Sequence, residues 1–96
     1  MFPCFLKHDK NMDVCYEVTS LIYEIDDLEK GSGICMWVDF WNLGQSGKSF
    51  DLNVDGEKIF IPFKEFENWK GLECNKIEPN LRNAPWTPLA ELNPLK

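Results

Sequence analysis

Hydrophobic and polar residues alternate along much of the first two-thirds of the chain, and period-two alternation marks a strand with one face toward a core. From Asp13, the residues Val14, Tyr16 and Val18 interleave with Cys15, Glu17 and Thr19. The pattern continues through Leu21, Ile22 and Tyr23 to about Ile25, with a bulge expected near Ser20. Residues 26–33 have a charged tip and two glycines, which predict a turn. A second strand follows from Ile34 to Trp41, with Ile34, Met36, Val38 and Phe40 on one face and Cys35, Trp37, Asp39 and Trp41 on the other. Both faces are apolar enough to need cover, so this strand is expected at the centre of a sheet.

After a Gly-containing loop over residues 42–48, Phe50, Leu52 and Val54 alternate again, and Asp55-Gly56 is the preferred filling of a two-residue type I′ turn. The expected hairpin sets Val54 opposite Glu57, Leu52 opposite Ile59, Phe50 opposite Ile61 and Asp51 opposite Phe60. Pro62 ends the ladder, and Phe63, Phe66 and Trp69 recur at every third residue, which predicts a short helical turn stopped by Gly71. Residues 1–12 lack periodicity and read as a lead-in with an apolar tip of Phe2, Phe5 and Leu6. Residues 73–96 hold four of the six prolines and read as an extended tail, with Trp86, Leu89, Leu92 and Leu95 as apolar anchors.

These elements predict a mainly β fold: a small antiparallel sheet of four to five strands, curled as a half-barrel or as an SH3-like or OB-like barrel, with one short helix. A two-layer α+β arrangement is the alternative. The expected division is a lead-in over 1–12, a β-rich domain over 13–72 and an extended tail over 73–96. Ninety-six residues, 44% of them hydrophobic, suit one core.

Charge narrows the choice of partner. The formal net charge is −6, and the excess lies on the domain: seven acids to three lysines over residues 1–30, six to four over 31–72, and three to three thereafter. Such a surface repels phosphate backbones and argues against nucleic acid, whereas a basic protein surface complements it. No run approaches the roughly 18–20 apolar residues that span a bilayer, and the first residues lack a basic n-region and a long apolar h-region. No membrane insertion is expected, and the expected compartment is cytoplasmic. Cys4, Cys15, Cys35 and Cys74 are irregularly spaced and read as reduced thiols, although their even number leaves a disulfide pair open.

Motifs that resemble catalytic or metal sites fail on their context. Residues 44–49 look like the end of a phosphate-binding loop, but Asn42 stands where its first glycine belongs and a strand pattern follows where a helix is required. Residues 51–56 match the first half of a calcium loop, but Pro62 occupies the twelfth position, where a bidentate Glu is needed. The one histidine, His8, has no partners at catalytic spacing, and Cys4 with His8 lacks a second pair of zinc ligands. No catalytic residue, metal or cofactor is therefore expected.

The row Trp37-Asp39-Trp41 is more informative, because three side chains share one face over about 13 Å of strand, a face that is either covered by the Phe2-Phe5-Leu6 tip, the Phe63-Phe66-Trp69 turn or the tail bearing Trp86, or open to a partner. Indoles are frequent binding anchors, and a carboxylate between them suits a lysine or arginine. Trp37, Asp39, Trp41, Phe60, Trp86 and Leu89 are thus the candidate partner-binding residues. The expected function is a non-catalytic protein-binding module, either an accessory subunit of a larger assembly or an acidic inhibitor or immunity-type protein that masks a basic surface. The alternatives are a small-ligand-binding or enzymatic domain using the Trp37-Asp39-Trp41 face and, third, single-strand nucleic-acid binding by stacking.

Overall fold

The computed structural model describes residues 2–43, 51–73 and 81–92. They form one open antiparallel sheet of six strands in the order β4-β3-β2-β1-β5-β6. The strands are β1 (Phe5–His8), β2 (Asn11–Asp27), β3 (Gly31–Asn42), β4 (Asp51–Pro62), β5 (Trp69–Leu72) and β6 (Thr87–Pro88). A 3₁₀ segment, Phe63–Asn68, separates β4 from β5; a second, Leu81–Asn83, precedes β6, and the single-turn helix α1 (Leu89–Leu92) follows it. The mainly β character expected from the alternation holds. The count is six strands and not four to five: β1, β5 and β6 are added, while the two strands of the expected hairpin are one, β4.

β2 and β3 form the long central pair, joined by a tight turn in which Gly31 adopts φ 86°, a conformation that favours glycine. Asp27 closes this turn by accepting the backbone N–H groups of Glu29 at 2.8 Å and Lys30 at 2.7 Å. These two bonds hold its carboxyl below the usual carboxylate range. Side chains on β3 alternate as the pattern predicts. Ile34, Met36 and Val38 are buried on the inner face against Leu6, Ile61, Phe2, Phe66 and Leu89. On the outer face a second cluster gathers Phe5, Cys15, Leu43, Leu72 and Leu81, flanked by Trp41, Ala84 and Trp86.

Three features of the structure bear on these expectations. First, Asp55-Gly56 makes no hairpin. β4 runs unbroken from Asp51 to Pro62 along β3, pairing Trp41 with Leu52, Phe40 with Asn53, Val38 with Glu57 and Met36 with Ile59. The register shifts between Val38 and Phe40, so residues 54–56 bulge opposite Asp39. The same Asp-Gly pair that fills a tight turn also fits an irregular strand, and here the long β3 partner outweighs the local turn preference.

Second, the lead-in, whose order the alternation leaves open, contributes a strand. β1 lies between β2 and β5, and Phe2, Phe5 and Leu6 are all buried. Third, the tail packs on its own domain over residues 81–92. Thr87 and Pro88 pair with Gly71 and Lys70, Leu81 joins the outer cluster, and Leu89 is 0% exposed in the inner one. This segment clasps β5 from both sides of the sheet. Gly71 ends no helix; it lies within β5, where an added Cβ would come within 2.7 Å of Pro3 and 2.9 Å of Leu92.

Candidate functional site

Two irregularities in the ladder, one on each side of β3, converge on Trp37 and Asp39. On β2 the register shifts between Val18 and Ile22, so residues 19–21 face Trp37 alone. On β4 the bulge at 54–56 faces Asp39. A bulge bends a strand and removes regular cross-strand neighbours, and bulges recur beside functional sites. The consequence is local. Trp37 stays 44% exposed in the middle of a central strand, while Thr19 Oγ1–H donates to the Trp37 carbonyl at 3.3 Å across the gap.

Asp39 stands directly opposite Glu17 on β2, so the two carboxylates share the outer face. Directly opposed residues have Cβ atoms about 4.5–5.5 Å apart, and like charges at that spacing repel. Glu17 Oε1 accepts the Trp41 indole N–H at 2.8 Å. β4 approaches Asp39 closely at Gly56, where an added Cβ would lie 2.8 Å from Asp39 Oδ1 and 3.0 Å from the Val38 carbonyl. Glycine there leaves the carboxylate uncrowded.

The row Trp37-Asp39-Trp41 is therefore split. Trp41 is half-buried against Phe5, ring centroids 6.3 Å apart in a T-shaped contact, and belongs to the core. Trp37 is open. Phe60 shares the outer face, where it packs close to Gly33; a Cβ on that glycine would come within 2.7 Å of the ring. Lys58, the cross-strand partner of Trp37, leans over Tyr23 with Nζ 5.4 Å from the ring centroid, and hydrogen bonding to Tyr23 raises its pKa. Lys30 lies 5.9 Å from the Phe60 centroid.

Two of the six candidate residues lie elsewhere. Trp86 is half-buried in the outer cluster, donates its indole N–H to the Leu81 carbonyl at 3.0 Å and covers Lys7, whose Nζ is 4.6 Å from its ring. Leu89 is enclosed on the inner face. Leu89 is 0% exposed and Trp86 partly so, and both pack the C-terminal segment against the sheet. Glu17 and Tyr23, absent from the sequence candidates, stand opposite Asp39 and Cys35. Their facing positions on β2 were legible in the alternation, but their pairing with Asp39 and Cys35 follows from the β2–β3 register.

His8 packs edge-to-face on Trp69, centroids 5.1 Å apart, and its Nδ1 accepts the Lys10 backbone N–H at 3.0 Å. Cys15 and Cys35 are buried free thiols, and burial pushes the Cys15 thiol up to about 12. Cys4 is disulfide-bonded, which corrects the expectation of four reduced cysteines. The remaining cysteine, Cys74, lies outside the described residues, as do residues 44–49 and the side chains of 51–55, on which the phosphate-loop and calcium-loop resemblances fall. Among the described residues, no group of three or more His, Cys, Asp or Glu is placed to hold a metal, and no helix is long and apolar enough to cross a membrane.

An open cavity of about 390 Å³ lies at the far end of β4, lined by Glu29, Lys30, Phe60, Pro62, Lys64 and Glu65. Its wall contains neither Trp37 nor Asp39. Compared with protein-family models, curated proteins and solved structures, the chain matches none.

Proposed function

We propose that this chain is a non-catalytic protein-binding module whose outer sheet face, centred on Trp37, docks on a basic surface of a partner protein, as an accessory subunit or as an acidic inhibitor. One observation carries the reading: Trp37 is 44% exposed midway along β3, a strand paired on both sides, opposite the irregularity in β2 and two residues from the one in β4. A rigid indole that is open on a folded scaffold loses little entropy on burial and is the side chain most enriched among binding anchors. The net charge of −6 steers such a face toward a basic partner.

The small-ligand alternative rests on the Trp37-Asp39-Trp41 face, and the described cavity beside Phe60 is lined by none of these three residues. The disulfide at Cys4 weighs against the expected cytoplasmic residence, because disulfides persist more readily in an oxidising compartment. The test is affinity capture from the native source with the wild-type chain and with Trp37→Ala. Partner recovery is expected to fall at least about tenfold, the loss of one interface anchor, with the melting temperature nearly unchanged. Equal recovery by both proteins overturns the reading.

A further inference from the structure

Three aromatic rings already hold a lysine ammonium: Tyr23 under Lys58, Phe60 under Lys30 and Trp86 under Lys7. Trp37 is more exposed than any of them, and among the described residues no cation lies over it. Two residues along β3, Asp39 has no hydrogen bond or ion pair with a described residue and faces a second carboxylate, Glu17. Lys58, the cross-strand partner of Trp37, is engaged on the Tyr23 ring. What remains on the uncovered face is an open indole next to unneutralised acid.

Resting on the protein-binding reading, we infer that the outer face receives an arginine side chain of the basic partner, its guanidinium stacked on Trp37 and hydrogen-bonded to the Asp39 carboxylate, with Glu17 adding negative charge. The spacing fits. Trp37 and Asp39 are separated by about 6.6 Å of strand, so a planar cation lying over the indole reaches the carboxylate with its N–H edge. Arginine is favoured over lysine because the guanidinium both stacks on an aromatic face and meets a carboxylate with two parallel N–H groups. A second copy of this chain is a poor occupant, since each copy carries a charge of −6.

The probe is a short peptide of alternating glycine and arginine, titrated against the full chain while the Trp37 indole N–H resonance is followed, that resonance being assigned with Trp37→Phe. Matched peptides carrying lysine or the neutral isostere citrulline are the controls. The arginine peptide is expected to shift the Trp37 resonance, to bind several-fold more tightly than the lysine peptide, and to lose at least about tenfold in affinity on Asp39→Asn. Equal binding of the citrulline peptide, an unchanged affinity in Asp39→Asn, or no shift at Trp37 overturns the inference. Asp39→Asn is also expected to leave the melting temperature of the free protein unchanged or raised, because it removes one of two opposed charges. A clear fall in melting temperature would assign Asp39 to the fold and overturn the inference as well. The two readings fail separately: if capture of the natural partner is lost with Trp37→Ala but the arginine peptide does not bind, the docking face stands and the guanidinium does not.

Discussion

Replacing Leu89 with Ala tests whether the C-terminal segment belongs to the fold. Leu89 is 0% exposed and packs in the inner cluster with Leu6, Met36, Ile61 and Phe66, although it lies in a stretch whose prolines read as an extended arm. Burying a leucine side chain contributes about 1.5–3 kcal/mol, and the cavity left by truncation brings the usual cost of Leu→Ala to about 2–5 kcal/mol. Alanine is a good helix former, so the change does not weaken α1 by propensity and the loss reports packing. Against a total stability of about 5–15 kcal/mol this is a large fraction, and at roughly 4–8 °C per kcal/mol a loss of about 2.5 kcal/mol lowers the melting temperature by about 10–20 °C. The matched control is Leu28→Ala, the same truncation at a position 105% exposed in the β2–β3 turn, which is expected to change stability by less than about 0.5 kcal/mol. Urea denaturation of the three proteins, with equal slopes required, measures both. Were Leu89→Ala to unfold at the same urea concentration as Leu28→Ala, the docking of the C-terminal segment would be wrong, and residues 81–92 would again be available as an arm.

Two further outcomes follow from the packing. Gly33→Val is expected to destabilise by at least about 1–3 kcal/mol, because the new side chain collides with the Ile61 carbonyl and with the Phe60 ring 2.7 Å from its Cβ; a stability within 0.5 kcal/mol of wild type in thermal melts would refute this close approach. Cys15 links stability to alkaline pH: its thiol is raised from 9.0 to about 12 by burial, so the unfolded chain releases this proton first, and the associated stability, complete below pH 9, is lost as pH rises toward 12. Urea midpoints should therefore fall less steeply over this range in Cys15→Ala than in wild type, and parallel curves would refute the assignment. Alkylation of the native, unreduced protein is expected to leave Cys4 unmodified, and its labelling without reductant would refute the disulfide.

The proposed site and the fold were legible in the sequence to different depths. The two faces of β3 could be read directly, since side chains on a strand alternate whatever its neighbours are, and the β2 bulge near Ser20 was anticipated. That Trp37 is open and Trp41 covered could not be read. The two residues share a face and a residue type; they differ in what lies opposite, a strand irregularity for Trp37 and the regular partner Cys15, with Phe5 beyond, for Trp41.

Alternation along the chain determined by itself that the protein is mainly β, that β2 and β3 pair across a glycine-bearing turn, and that Ile34, Met36 and Val38 point into a core. These features depend on the stereochemistry of neighbouring residues and on short-range pairing. Only the tertiary structure decided that Asp55-Gly56 bulges along β3, that Phe2 and Leu6 at one end of the chain meet Leu89 near the other, and that the acids Glu17 and Asp39 face each other beside an open indole. Such contacts join residues far apart in sequence. Their free energy comes from burying surfaces that no local pattern identifies as partners until the sheet has assembled.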